Sequence, residues 1–212
     1  MATLQDVSKA VIEGDVERVV SYTKELLDAG QDPLEIINQG LIAGMDVVGA
    51  RFKAGDMFVP EVLMCAKAMS EGMSLVRPHL EGKQLETHGT LLIGTVQNDL
   101  HDIGKNLVAM MVESAGFNVI NLGTDIRPEV FVKAIQEHKP DIVGMSALLT
   151  TTLPYMQDTI SAIKEAGLRD SVKIIVGGAP VTDEYAKQIG ADGYAPDAGS
   201  AADLCKKLVE AK

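Results

Sequence analysis

The chain has no tryptophan, only four phenylalanines and four tyrosines among 212 residues, so its cores have to be built from aliphatic side chains. Positive charge is also scarce: 19 Lys and Arg stand against 30 Asp and Glu, for a formal net charge of −11. Nucleic acid or an anionic membrane as the main partner would need a basic face, which this balance argues against. An acidic surface favours solubility and can steer basic protein partners. Cysteine is limited to Cys65 and Cys205, with neither Cys-x-x-Cys nor disulfide-framework spacing, and both read as buried free thiols. No apolar run approaches the roughly 18 residues of a membrane span. The first residues, Met1-Ala-Thr-Leu-Gln-Asp6, lack a basic region followed by an apolar core, so a cytoplasmic location is expected.

What is present is 46% hydrophobic, enough for sizeable cores, in a length suited to roughly two small domains. Residues 1 to 80 carry helical periodicity only. A short helix runs from Leu4 to Val11. Asp15 is a candidate N-cap for a helix with Val16, Val19, Val20, Leu26 and Leu27 on one face and Gly30 as its stop. Asp32-Pro33 restarts a helix, since proline is tolerated at the first helical position, and Leu34, Ile37, Leu41, Met45, Val48 and Phe52 form its stripe up to Gly55. Pro60 opens another, carrying Leu63, Ala66, Met69, Met73 and Leu80, with Gly72 as a weak point. About four antiparallel helices close naturally into a small bundle. The ten methionines, Met64, Met69 and Met73 among them, are expected to fill core gaps.

Between Pro78 and Gly89 periodicity lapses into Glu-Gly-Lys-Gln-Leu-Glu-Thr-His, and a linker is expected at 81–89, giving domains 1–85 and 86–212. From Thr90 short apolar runs alternate with helical ones: strands at 90–96, 118–122, 141–146, 172–176 and 192–195, each followed by a helix. Such a pattern predicts an α/β domain, a flavodoxin-like (Rossmann-like), doubly wound, five-stranded parallel sheet with right-handed crossovers, preceded by the all-α four-helix bundle.

Chemistry concentrates in Thr95-Val-Gln-Asn-Asp-Leu-His-Asp-Ile-Gly-Lys105, just past the first predicted strand, where open α/β sheets bind ligands. A neutral imidazole at His101 can ligate a transition metal through one nitrogen while Asp99 accepts the other N–H and fixes the tautomer. Taken alone, His101 could equally be an ordinary helix-entry residue and Asp99 an N-cap. After Gly104 come 41 residues, then Ser146-Ala-Leu148, and 28 more lead to Gly177-Gly178. The double glycine is also readable as a tight strand-to-helix turn. His79, His88 and His138 have no comparable partners and read as surface or linker residues.

The combined pattern, Asp-x-His-x-x-Gly with Ser-x-Leu and Gly-Gly at those separations, resembles the cobalamin-binding motif of corrinoid proteins that hold the cofactor with its nucleotide tail detached from cobalt. The resemblance implies His101 as the lower axial ligand of cobalt and Asp99 as the acceptor behind it. Ser146 would be a hydroxyl that reaches the cofactor tail or the Asp. Gly104, Gly177 and Gly178 would give clearance to the tail. Thr150 and Thr152, in Leu148-Leu-Thr-Thr-Thr152, match a family segment whose hydroxyls contact the corrin's polar fringe, although hydroxyls after a strand are also common turn formers. Asn98, Leu100 and Asp102 flank the ligand and would touch corrin amides through backbone atoms. Ala198 matches a backbone contact in the related module of cobalamin-dependent methionine synthase. The runs Gly44 to Phe52 and Met57 to Val62 look like the helical cap preceding that module, and on that alignment Phe52, Val59 and Val62 cover the upper, methyl-bearing face.

Over nearly its whole length the chain resembles the free-standing corrinoid proteins of methylamine, betaine, methanol and methoxyaromatic methyl-transfer systems. The implied role is that of a cofactor-carrying subunit rather than a complete enzyme. Cob(I)alamin takes a methyl group from a substrate-specific methyltransferase, and methyl-cob(III)alamin gives it to a second methyltransferase acting on tetrahydrofolate or a thiol. A reductive activator is the expected third partner. Three other readings share parts of the pattern: a cobalamin-binding regulator, the small subunit of an adenosylcobalamin mutase, and a flavodoxin-like nucleotide or response domain.

Overall fold

A computed structural model describes residues 2–80 and 87–210. The expected linker at 81–89 therefore lies largely outside the described residues. Contacts within the chain cluster into two units, one of residues 1–86 with 114–116 and one of the remainder.

The first unit is helical among its described residues. Helix α1 (Leu4–Ile12) begins at a capping box in which the Thr3 hydroxyl accepts from the Asp6 N–H and the Asp6 carboxylate accepts from the Thr3 N–H. Asp15 caps α2 (Val16–Asp28) by accepting from the Arg18 N–H. The predicted third helix is a composite. It runs from α3 (Pro33–Glu35) through a π-helical segment, Ile36–Ile42, into α4 (Ala43–Ala54), which ends at left-handed Gly55. The composite packs closely on α1: a Cβ on Gly40 of the π segment would come within 3.1 Å of Val7, and one on Gly44 of α4 within 2.8 Å of the Ser8 carbonyl oxygen and of Val11. Ile36 is thereby buried along with Ile37, Leu41, Met45 and Val48, whereas Phe52 is only half-buried.

In α5 (Val59–Val76) the buried series is Val62, Cys65, Ala66, Met69 and Val76, one residue out of phase with the expected Leu63. Leu63 and Met64 are exposed, so neither fills the core; a helix offers one 3.6-residue stripe, and Val62 takes it. Gly72 is a seat rather than a weak point. A Cβ there would lie 2.7 Å from a Leu41 methyl and 2.9 Å from Val19.

The second unit is the predicted parallel sheet. Strands β1 (Thr90–Thr95), β2 (Asn118–Asn121), β3 (Ile142–Ser146), β4 (Lys173–Gly177) and β5 (Gly193–Tyr194) pair in the order β2-β1-β3-β4-β5. The crossovers are α6 (Ile103–Ser114), α7 (Pro128–His138), α8 (Pro154–Glu165) and α9 (Asp183–Ile189), and α10 (Ala198–Glu210) closes the unit. Leu91, Leu92, Ile142, Val143 and Ile174 are fully buried, as strands covered on both faces require. Phe131 of α7 is fully buried against Gly94 of β1, where a Cβ would meet the ring at 2.9 Å. Burying such a ring contributes about 2 to 3 kcal/mol.

The order has a consequence for function. The chain leaves β1 for β2 on one side and then returns to β3 on the other, so β1 and β3 flank the switch point where this topology opens a crevice. The loops after both strands emerge there.

Candidate functional site

Asp99 lies at that crevice, fully buried, three residues beyond a bridge between Val96 and Ile126. One carboxylate oxygen, Oδ1, accepts from the His101 N–H at 3.0 Å and pairs with His101 Nδ1 at 2.7 Å. The other, Oδ2, accepts from the Leu148 N–H at 2.7 Å, the Leu149 N–H at 3.4 Å and the Thr152 hydroxyl at 2.8 Å. Burial by itself raises a carboxyl pKa, but the N–H groups of Leu148 and His101, the Thr152 hydroxyl and the His101 ring outweigh it and hold Asp99 well below the usual carboxylate range. An ionised Asp99 requires the proton of neutral His101 to sit on Nδ1. The lone pair is then on Nε2, on a side chain that is 50% exposed.

Among the described residues no group of three or more His, Cys, Asp or Glu could hold a metal ion. A single oriented imidazole therefore suits a metal that arrives with most of its ligands already attached, which fits a corrin. Large aliphatic side chains around the imidazole are also left outside: Leu100 is 74% and Ile103 77% exposed, and Leu148 and Leu149 are exposed too. Exposed apolar groups gathered after β1 and β3 form the kind of surface that a ligand or partner covers.

The structure divides the other sequence-predicted residues into groups. The hydroxyl on Asp99 is that of Thr152, while the Ser146 carbonyl accepts from the Val96 N–H at 3.0 Å at the end of β3. Thr152 is accordingly buried beneath the carboxylate rather than presented to a corrin fringe, while Thr150 is exposed. Leu148 contributes its N–H to Asp99 and Asn98 its N–H to Asp125. Asp102 is exposed and accepts from the Asn106 amide at 3.0 Å.

The three glycines differ. A Cβ on Gly178, at φ +126°, would come within 1.9 Å of the Ala147 carbonyl oxygen, and one on Gly177 within 2.9 Å of that of Ala195. Both are thus favoured by the fold itself, and Gly178 opens the turn after β4, its carbonyl accepting from the Val181 N–H at 2.9 Å. Around Gly104 a Cβ would meet nothing within 4 Å, and its φ is not left-handed, so the chain makes no demand of its own for glycine there. Ala198 is buried as the first residue of α10, past β5. In the helical unit Val59 is half-buried like Phe52, and Val62 is fully buried.

Four residues were not singled out from sequence. The Leu149 N–H joins the carboxylate shell, the buried Thr95 hydroxyl donates to the His101 carbonyl at 2.9 Å, and Asp125 and Tyr155 both bond Asn98. Asp125 follows β2, next to β1 at the ligand-binding end of the sheet, and that position was the available signal.

Comparison with known proteins identifies the family. Two family models, each described as a B12 binding domain, match residues 89–203 and 3–77. A corrinoid protein of Desulfitobacterium hafniense is 42% identical over 212 residues, covering 99% of this chain and 98% of its own. Trimethylamine corrinoid protein 1 of Methanosarcina acetivorans is 44% identical, covering 94% of this chain and 92% of its own. A chain in the crystal structure of the methanol:cobalamin methyltransferase complex of Methanosarcina barkeri superposes with a TM-score of 0.88 at 30% identity, covering 99% of this chain and 80% of that one. The chain thus belongs to the cobalamin-binding corrinoid proteins, the family that includes the trimethylamine and dimethylamine corrinoid proteins.

Proposed function

We propose that this protein is a methyl carrier that works between two methyltransferases, one specific for the methyl donor and one acting on tetrahydrofolate or a thiol. The observation that supports it most directly is the His101–Asp99 pair, with Nδ1 engaged at 2.7 Å and Nε2 left open on a half-exposed ring. Bound cobalt would supply the chemistry, accepting a methyl group from one partner and donating it to the other. His101 Nε2 would hold the metal from below. Asp99 would keep the proton on Nδ1 of the neutral ring and would stabilise its imidazolium form through a charge-assisted hydrogen bond. Thr152 and the N–H groups of Leu148 and Leu149 would keep Asp99 ionised in that role. Leu100, Ile103, Leu148 and Leu149 would be covered by the cofactor, and Gly104 would leave room for its tail.

The names of the relatives support methylated amines or methanol as the donor class. The separate family matches at 3–77 and 89–203 support a cap domain at 1–85 and a cobalamin domain at 86–212. A reductive activator completes the proposed set of partners.

The test is to load the protein with hydroxocobalamin and record its spectrum with and without His101→Ala. Histidine ligation should be lost in the variant while corrinoid is still bound. The reduced protein, mixed with a panel of methyltransferases and their methyl donors, should then show the absorbance change of cobalt methylation with at least one. Identical spectra for parent and variant would remove the ligand assignment, and silence across the panel would remove the carrier role.

A further inference from the structure

Asp99 is gripped through its backbone as well as its carboxylate, and those contacts come from residues outside the motif. Asn98 and Asp125 both hold left-handed backbones, at φ +64° and +56°. Non-glycine residues persist there where their surroundings over-determine them. The two face each other across neighbouring loops. The Asp125 carboxylate accepts from the Asn98 N–H at 2.7 Å, and the Asp125 N–H donates to the Asp99 carbonyl at 3.0 Å, so one residue brackets the 98–99 segment. From the other side the Asn98 side-chain amide donates to the Tyr155 hydroxyl at 2.6 Å. Tyr155 lies in the first turn of α8, three residues after Thr152, whose hydroxyl is on Asp99 itself.

Topology explains the arrangement. β1 lies between β2 and β3, so the loop after β1 has the β2–α7 loop on one side and the β3–α8 loop on the other. Each sends one anchor. Glycine at 98 would adopt the same φ at no steric cost, but only a side chain can carry the tether to Tyr155.

We infer that Asp125 and Tyr155 are positioning residues which, through Asn98, clamp the loop so that Asp99 stays where it can orient His101. The inference rests on the proposed role of His101 as a cobalt ligand. A hydrogen bond from Asp99 fixes the direction of Nε2 only if Asp99 itself is fixed. With the clamp released, the segment carrying Asp99 samples positions in which the carboxylate no longer fixes the direction of Nε2.

Asp125→Gly tests this cleanly, because glycine keeps the left-handed turn and removes only the carboxylate. Tyr155→Phe removes only the hydroxyl. Asp125→Asn retains an oxygen acceptor on a residue type that tolerates this backbone, and it serves as the rescue. Two quantities are read. In cofactor-free protein, amide exchange in peptides covering 96–103 should quicken by about fivefold in Asp125→Gly, the scale of one lost hydrogen bond. In protein loaded with hydroxocobalamin, the ratio of histidine-ligated to unligated cobalt should fall by about fivefold at unchanged total corrinoid, and Asp125→Asn should restore it. Tyr155→Phe should move both in the same direction by less.

An Asp125→Gly protein whose ligation ratio equals the parent's overturns the inference, whatever happens to its melting temperature. If the parent shows no histidine-ligated corrinoid, the proposed function falls instead. The clamp is then decided by exchange alone, and an unchanged rate rejects it.

Discussion

The two halves of the segment from Gln97 to Gly104, which runs from the loop after β1 into α6, are built on opposite plans. In the first half Asp99 is fully buried and five donor groups converge on its carboxylate. In the second half His101, Asp102 and Gly104 are exposed, Leu100 and Ile103 put most of their aliphatic surface into solvent, and a Cβ at 104 would touch nothing. The difference separates two jobs. One half is finished within the protein and sets a direction; the other, on the proposed function, would be completed by the cofactor. Substitutions in the first half should therefore weaken the fold, and those in the second should weaken binding while leaving the fold alone.

The largest effect is expected beside the finished half. Gly178→Ala drives a methyl into the Ala147 carbonyl at a left-handed φ, one residue before Leu148 donates to Asp99. It should cost more than about 3 kcal/mol and lower the denaturation midpoint accordingly. Next comes Asp99→Ala, which strands the Leu148 and His101 N–H groups and takes the carboxylate from the Thr152 hydroxyl and the His101 ring, for a loss of about 3 kcal/mol in chemical denaturation of cofactor-free protein.

The same carboxylate gives a pH signature. Its folded pKa is depressed, so its stabilisation is present above the unfolded value of about 4 and fades as pH falls toward the folded one. The stability gap between parent and Asp99→Asn should be widest near neutrality and shrink below about pH 4. Thr152→Val, which removes one buried hydroxyl donor, should cost about 1 kcal/mol by the same measurement.

The smallest stability effects belong to the unfinished half. Leu100→Ala and Gly104→Ala should each stay within about 0.5 kcal/mol of the parent in cofactor-free protein. Both should nonetheless weaken hydroxocobalamin binding in a spectroscopic titration. A large loss of stability in either, or unaltered corrinoid affinity in both, would erase the contrast between the two halves.

The helical unit teaches a related lesson about apolar spacing. Periodicity located its helices, but phase was harder to read: Leu63 and Val62 are neighbours, both aliphatic, and only packing against the bundle shows which faces inward. The π turns at Ile36–Ile42 were likewise invisible, since apolar spacing does not distinguish a π turn from an α turn. Cys205 offers a check on the cores: burial pushes its thiol up to about 12, so alkylation should require unfolding.

Taken by itself, the sequence determined whatever is local or periodic. Alternating apolar runs dictate a parallel sheet because strands buried on both faces must be apolar throughout. Asp99 and His101 find each other because two residues of loop can bring a carboxylate to its neighbour's ring. The tertiary structure decided everything that depends on which loops meet at the crevice between β1 and β3. Thr152, 53 residues from Asp99, supplies the hydroxyl on its carboxylate, and Asp125 and Tyr155 reach Asn98 from segments that follow separate strands. Such partners are chosen by the direction in which each strand delivers its loop, and no spacing along the chain encodes that direction.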